Sequence, residues 1–246
     1  MLRAIVEGLL DFVWPPRTQC LLCREPRPGA PLACPACMEE IGFDPTASRC
    51  ANCTRPIESD RGLCADCEEG PVYGVVFALG AHQGALREAV HHLKFGDRPE
   101  LAQLLGNRLA DRVTVPHDGI VPVPLHPSRL RERGYNQAGL IARAISAGRG
   151  IPVWESHLRR VRRTGHQAKL QRDSRLHNLD GAFAVEAAVT PPWSDKRVLL
   201  VDDVLTTGAT AAAVAEVLYK SGARSVDLAV LAVSTTPVRG KLKTSH

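Results

Sequence analysis

The sequence predicts an α/β protein, a mostly parallel sheet flanked by helices and preceded by a small N-terminal zinc-ribbon domain. Three observations carry this expectation. All eight cysteines fall between residues 20 and 67, in four Cys-x-x-Cys pairs. From residue 72 onward, apolar runs of strand length alternate with segments of helical periodicity. The charge changes sign between the two regions. Residues 1–70 hold seven basic and eleven acidic side chains, net −4, and residues 71–246 hold 24 and 15, net +9. Two units with different jobs are expected, one over 1–70 and one over 71–246.

At 246 residues, 44% hydrophobic and 23% charged, the chain has the composition of an ordinary globular protein. No apolar run approaches the ~18–20 residues that a membrane span needs. The opening stretch "MLRAIVEGLLDFVWPP" has apolar residues at helical spacing but carries Glu7 and Asp11 inside the apolar run. It reads as a short amphipathic helix and not as a signal peptide, so a cytoplasmic location is expected.

The cysteine pairs are "CLLC" (20–23), "CPAC" (34–37), "CANC" (50–53) and "CADC" (64–67). Two intervening residues let a tight turn aim both sulfurs at one ion, so each pair supplies half of a tetrahedral zinc site. Cys20, Cys23, Cys34, Cys37, Cys50, Cys53, Cys64 and Cys67 therefore make two four-cysteine Zn²⁺ sites. A disulfide framework is the competing explanation. Against it, the 179 residues after Cys67 hold no cysteine and no leader points to an oxidising compartment. The segment has too few bulky apolar residues for an independent core, and structural zinc contributes on the order of 10–16 kcal/mol in small finger peptides. Loops of 10, 12 and 10 residues separate the pairs. Sequential pairing would give two stacked ribbons and interleaved pairing a cross-brace; spacing leaves both open. The unit is acidic before its thiolates are counted, which favours folding and partner docking over direct phosphate contact.

In the second unit, residues 72–80 read as a strand and 84–95 as a helix with Leu86, Ala89, Val90 and Leu93 on one face. A second helix spans 99–113, with Pro99 near its first turn. Residues 119–125 form a short strand broken by prolines, and 134–148 another helix. Residues 196–203 read as a strand whose core is apolar on both faces, as in a buried parallel strand. A helix over 208–222 and a strand over 225–233 complete the pattern. The polar, Arg-rich stretch 159–178 breaks the rhythm and reads as a long functional loop.

The stretch "VLLVDDVLTTGAT" (198–210) holds the candidate site. Ligands of such sheets bind at the carboxyl ends of the strands. The first N–H groups of the following helix have no intrahelical partner and favour an anion. Gly208 and Ala209 let the backbone approach closely, and Thr206, Thr207 and Thr210 offer hydroxyls. Asp202 and Asp203 would repel a phosphate directly, so they should meet sugar hydroxyls, a cation, or both. A ligand with a 5′-phosphate, ribose hydroxyls and a metal-bound pyrophosphate uses every one of these groups.

This stretch resembles the phosphoribosyl pyrophosphate (PRPP) motif of type I phosphoribosyltransferases. The whole chain, from about residue 14 to 235, resembles the ComF family of competence-associated proteins. "PVPLHPSRLRERGYNQA" (122–138) and "RRTGHQAKLQRDSRLHNLDGAF" (162–183) are similar to that family's distinctive segments, and the cysteine-rich N-terminus to its double zinc ribbon. The resemblance implies a type I phosphoribosyltransferase, Rossmann-like fold. It also implies that Asp202 and Asp203 are the catalytic pair holding the ribose hydroxyls, directly or through Mg²⁺, and that residues 206–210 clamp the 5′-phosphate. Val123, Pro124 and Leu125 fall at the pyrophosphate loop, and 162–178 at a flexible catalytic loop. Residues 126–177 hold twelve Arg or Lys and three acids, and Arg129, Arg131, Arg133 and Arg175 are candidate anion contacts. Enzymes acting on 6-oxopurines typically carry an Asp where this chain has Thr206, which argues against that substrate class.

Three functions stay open at the level of sequence. One is a PRPP-dependent, Mg²⁺-requiring transferase of unassigned acceptor. Another is a non-catalytic PRPP-responsive protein that handles single-stranded DNA through its basic region 126–177. Strand binders usually offer aromatic stacking platforms, and the aromatic candidates near that region are Phe95, Tyr135 and Trp154. The third is a scaffold whose acidic ribbons dock other competence-machinery proteins.

Overall fold

The structure is a computed structural model. It describes residues 19–26, 32–44, 46–57, 62–68, 70, 72–95, 98–162, 179, 181–186 and 190–235. The expected N-terminal helix, the tail 236–246, Arg175 and the core of the expected catalytic loop lie outside the described residues.

The ribbons contribute two short helices, α1 (Pro35–Glu40) and α2 (Ala65–Glu68). After them come β1 (Val76–Ala81), α3 (Gly84–Phe95), α4 (Glu100–Arg112), β2 (Gly119–Pro122), α5 (Pro127–Arg133) and α6 (Gln137–Arg149). The chain continues through β3 (Leu158–Arg160), β4 (Phe183–Val185), β5 (Arg197–Leu205), α7 (Ala209–Lys220) and β6 (Ser225–Val233). Four strands form one parallel sheet in the order β1-β6-β5-β2. β3 and β4 form a separate antiparallel pair.

Burial on both faces explains why the middle of β5 and most of β6 are apolar at consecutive positions. Leu199, Val201, Ala229 and Leu231 pack with Leu105, Leu109, Ile141 and Ile145 of α4 and α6. Their neighbours Val198, Leu200, Leu228 and Val230 pack on the opposite face with Val214 and Leu218 of α7. This is the two-residue alternation of a strand read across two cores. β5 is bonded on one side to β2 as far as Val201 and on the other to β6 as far as Leu205. The last bond of this ladder runs from Val123 N to Val201 O (2.8 Å), and Pro122 and Pro124 turn their nitrogens to the other side of β2, where no donor is required of them. The last residues of β5 therefore outrun their neighbour.

The two ribbons straddle the β1 edge. Cys20, Cys34 and Cys37 pack into the core on the α3–α4–α6 face, and Cys50, Cys53, Cys64 and Cys67 into the core on the α7 face. Ala81 N donates to Gly42 O (3.1 Å) and Val76 N to Asn52 O (3.3 Å), so each ribbon occupies backbone groups that an open edge would expose. A Cβ on Gly80 would collide with the Gly42 backbone, which is why this strand position is glycine. The ribbons repeat one local plan. Gln19 bridges Pro26 and Arg49 bridges Pro56, with Cys20 N donating to Glu25 O and Cys50 N to Arg55 O.

Two features depart from the sequence expectation. Residues 127–133 form a helix, capped by the His126 ring nitrogen, which accepts from Ser128 N, and closed by Gly134 at φ +78. Residues 158–160 belong to β3 and not to a loop, because Leu158 has a buried berth and Arg159 and Ala184 pair across to β4.

Replacing Gly80 by Ala should destabilise the zinc-loaded protein by about 1–3 kcal/mol, the usual range for forcing an extra carbon into a packed contact. Urea denaturation followed by circular dichroism measures this. An unchanged midpoint would mean that the ribbon does not press on β1.

Candidate functional site

The eight cysteines form two groups, Cys20, Cys23, Cys34, Cys37 and Cys50, Cys53, Cys64, Cys67, with all sulfurs of a group within 4.8 Å of one another. The pairing is sequential. Cys23 and Cys34 sulfurs are 3.9 Å apart, and Cys53 and Cys64 sulfurs 3.6 Å. A tetrahedron with Zn–S of ~2.3 Å has an edge of ~3.8 Å, so both groups are sized for zinc. Backbone N–H groups of Leu22 and Cys34 donate to Cys20 Sγ, at 3.4 and 3.3 Å. Burial works against ionising Cys20, but N–H donors from Cys34, Cys23 and Leu22 outweigh it and bring the thiol down to about 6. Burial and the neighbouring sulfurs push Cys37 up. Four thiols this close cannot all ionise unaided, and a divalent cation resolves that conflict.

Asp202 and Asp203 lie on the part of β5 that extends beyond β2. Lys94, in the last turn of α3, places its Nζ 2.7 Å from Asp203 Oδ1. Asp203 N donates to Asp202 Oδ1 at 2.8 Å. Burial, followed by the adjacent Asp203 charge, raises the Asp202 carboxyl from its ordinary value of 3.8 to about 7, against the pull of the Asp203 amide, Lys94 and Arg160. After Leu205 the chain turns through Thr206 and Thr207. Gly208 then opens α7 at φ +80, a left-handed conformation that glycine adopts without strain. Gly208 has a second constraint, since a Cβ there would meet Tyr73 Oη at 2.6 Å. Thr207 Oγ1 accepts from Ala209 N at 3.4 Å.

The carboxylates and part of the turn open onto one cavity of about 510 Å³, whose wall does not include Thr207, Gly208 or Ala209. Asp202, Asp203, Thr206 and Thr210 line it from β5 and α7, and Val123 and Leu125 from the segment after β2. Arg129 and Arg133 reach it from α5. They are four residues apart and share a helix face; Arg131, between them, is exposed and is not part of the wall. Pro124 lines a neighbouring cavity that shares Leu125, Asn136 and Arg160 with the first. Gly208 lines a small cleft beneath the turn together with Thr206 and Thr210.

Sequence reasoning had not placed Lys94, Arg87, Arg160, Asn136 or Gln137 in this wall. Arg87 and Lys94 ride on the α3 helix, read only for its apolar face. Asn136 caps α6 by accepting from Ala138 N (3.2 Å), and its Nδ2 donates to Val123 O (3.1 Å), fixing the loop after β2. Gln137 is 1% exposed, and its Nε2 has no hydrogen-bond partner among the described residues. Of these, the Asn-before-helix signal was the legible one. The cavity thus gathers five basic side chains against two carboxylates. Burial pulls Arg133 and Arg160 below the ordinary guanidinium range, each aggravated by the Arg129 charge. Such a wall is short of negative charge. Of the three aromatic candidates, Tyr135 donates to Leu93 O (2.8 Å), the Trp154 ring packs against Gly119, and Phe95 is 62% exposed beneath the Arg133 guanidinium.

Two family models match the chain: a double zinc ribbon domain over residues 9–68 and a phosphoribosyl transferase domain over residues 133–244. The chain is 32% identical over 221 residues to the DNA utilization protein YhgH of Escherichia coli K12, covering 85% of this chain and 94% of that one. It is 30% identical over 205 residues to competence protein F of Haemophilus influenzae, covering 79% and 87%. It is 28% identical over 198 residues to competence protein ComFC of Streptococcus pneumoniae, covering 78% and 82%. Among solved structures, a glutamine PRPP amidotransferase from B. subtilis aligns with 57% of this chain and 30% of its own, at 21% identity and a TM-score of 0.40.

The folded chain should carry two zinc ions. Cys23→Ser and Cys53→Ser should each release one, and a chelator-dye titration of the purified protein reads the count. A single ion in the unaltered protein would contradict two independent sites. Asp202 supplies a pH dependence. Its carboxyl is raised in the fold, so the native state holds a proton that the unfolded chain has lost, and stability falls as pH rises from about 4 to about 7. Thermal melts should show Asp202→Asn gaining on the unaltered protein between pH 5 and pH 8. A constant difference across that range would contradict the raised value.

Proposed function

The chain belongs to the ComF family, a double zinc ribbon joined to a phosphoribosyl transferase domain, and from that premise we propose that its cavity binds PRPP and serves phosphoribosyl transfer. The observation that carries this reading is the meeting of two carboxylates, Thr206 and Thr210 from the helix-start turn, and five basic side chains in one cavity.

In this reading the 5′-phosphate lies on the turn Thr206–Thr207–Gly208–Ala209–Thr210, where N–H groups and hydroxyls converge without side-chain bulk. Asp202 and Asp203 take the ribose hydroxyls. The two adjacent carboxylates share one close cation, Lys94 beside Asp203, and hydroxyl donors or a divalent ion would offset the remaining repulsion that holds the Asp202 carboxyl up. The pyrophosphate faces Arg129, Arg133 and Arg160 beside the Val123–Leu125 loop, where an added anion would offset the mutual repulsion of these guanidiniums. The orphaned Gln137 amide offers a further donor.

In the transfer, the bond from C1′ to the pyrophosphate oxygen breaks with its electron pair leaving on pyrophosphate, and an acceptor atom bonds to C1′. The protein's part is to hold the ribose in place and to meet the charge growing on the leaving group with groups already oriented. Asp202 and Asp203 would hold Mg²⁺, which would supply positive charge against that growth. The relatives' names point to DNA utilization and competence, and in this reading the chain works in the cytoplasm beside other competence-machinery proteins. A role confined to single-stranded DNA has less support, since Phe95 is the one exposed ring of the three candidates.

PRPP with Mg²⁺ should raise the melting temperature. At a hundred times Kd the stabilisation is about 2.7 kcal/mol, several degrees for a chain of this size. Asp203→Asn should abolish the shift while leaving the ligand-free melt within a few degrees of the unaltered protein. Pyrophosphate release on adding nucleobase or nucleotide acceptors tests the transfer. No shift with millimolar PRPP would end this reading.

A further inference from the structure

The second ribbon reaches the phosphate turn through one side chain. Arg55 follows "CANCT" in sequence and is 3% exposed. Its Nε donates to Cys53 Sγ (3.3 Å) and its Nη2 to Cys64 Sγ (3.8 Å). Its Nη1 donates across 151 residues of sequence to the carbonyl oxygen of Thr206, at 3.3 Å. A buried guanidinium needs counter-charge and filled donors. Four thiolates around Zn²⁺ carry a formal −2 and supply the first. The Thr206 carbonyl takes the fork's remaining arm.

The internal repeat supplies a control. In the first ribbon the position matching Arg55 is Glu25, since both precede the bridging proline and both accept from the first cysteine's N–H. Glu25 is exposed. An arginine here is therefore not something the ribbon needs in order to fold. It is present in the ribbon that abuts the turn.

We propose that Arg55 is a positioning residue through which the second four-cysteine site holds the phosphate turn in its binding shape. In a trans peptide the C=O and the following N–H point in opposite directions. Anchoring the Thr206 carbonyl towards the ribbon therefore turns the Thr207 N–H away from it, towards the side open to ligand. Tyr73 braces the same turn at Gly208, from the segment that joins the second ribbon to β1. The planar fork spans sulfur and carbonyl at once, which a lysine's single ammonium does not. Metal occupancy of the second site thus bears on anion binding.

The identity of the anion rests on the PRPP reading; the state of the turn does not, so the first measurement is made without ligand. Hydrogen–deuterium exchange over residues 205–210 should speed up in Arg55→Ala, with exchange in β6 unchanged and two zinc ions retained. PRPP affinity should fall about tenfold, the scale for losing an outer-shell partner. Arg55→Lys keeps a charge beside the thiolates and should retain both ions while losing the protection of the turn. It decides the matter if the alanine variant sheds zinc or fails to fold. Glu25→Ala should leave the turn untouched. Unaltered exchange at 205–210 in a two-zinc Arg55→Lys or Arg55→Ala protein would overturn the proposal. If the unaltered protein binds no PRPP, the ligand assignment fails and the exchange result still decides the role of Arg55.

Discussion

β2 pairs with β5 only as far as Val201, its last bond running from Val123 N to Val201 O, while β5 continues to Leu205 against β6 alone among the described strands. This mismatch in strand length opens the cleft. Val198 to Val201 are fully buried, and hydrogen bonds on both sides lock their register. The same register carries Asp202 and Asp203 past the edge of β2 and delivers the chain to the turn at 206–208. A slip of one residue would send Val201 and Leu200 to the wrong faces of the sheet, so the core and the site share a single constraint. The segment left behind by β2 is then held by Asn136, and α5 brings Arg129 and Arg133 to the opposite wall.

The ribbons complete this arrangement from the other side. A parallel sheet with β1 at its edge exposes backbone groups, and the two cysteine units cover them while packing into both cores. Zinc supplies the folding energy that their small apolar content does not. The two halves of the ribbon have diverged in what they touch. Glu40, at the end of α1 in the first, accepts from Ala85 N at the start of α3 (2.9 Å), and Arg55 in the second reaches Thr206. A module that reads as a structural staple is thus in contact with the loop on which the proposed chemistry depends.

Much of this was legible in the sequence for physical reasons. Four Cys-x-x-Cys pairs admit few explanations, and the doubly buried strand 198–201 declares itself by being apolar at every position. What escaped has physical reasons too. The sequential pairing of cysteines could not be fixed by spacing, because loops of nearly equal length suit either arrangement. Lys94 sits on a helix whose pattern reports only its buried face. Arg129, Arg131 and Arg133 look alike as alternating charges. The helix α5, started by His126 and Pro127, puts two of them on one face and leaves Arg131 outside. Arg55 carried no local signal, since its partner is 151 residues away.

A crystal structure of the zinc-loaded protein soaked with PRPP and Mg²⁺ tests the central claim most directly. The account predicts the 5′-phosphate on the backbone amides of residues 207–210, the ribose hydroxyls facing Asp202 and Asp203, and the pyrophosphate against Arg129 and Arg133. PRPP bound elsewhere, or with its 5′-phosphate among those arginines and its ribose turned from the carboxylates, would contradict it.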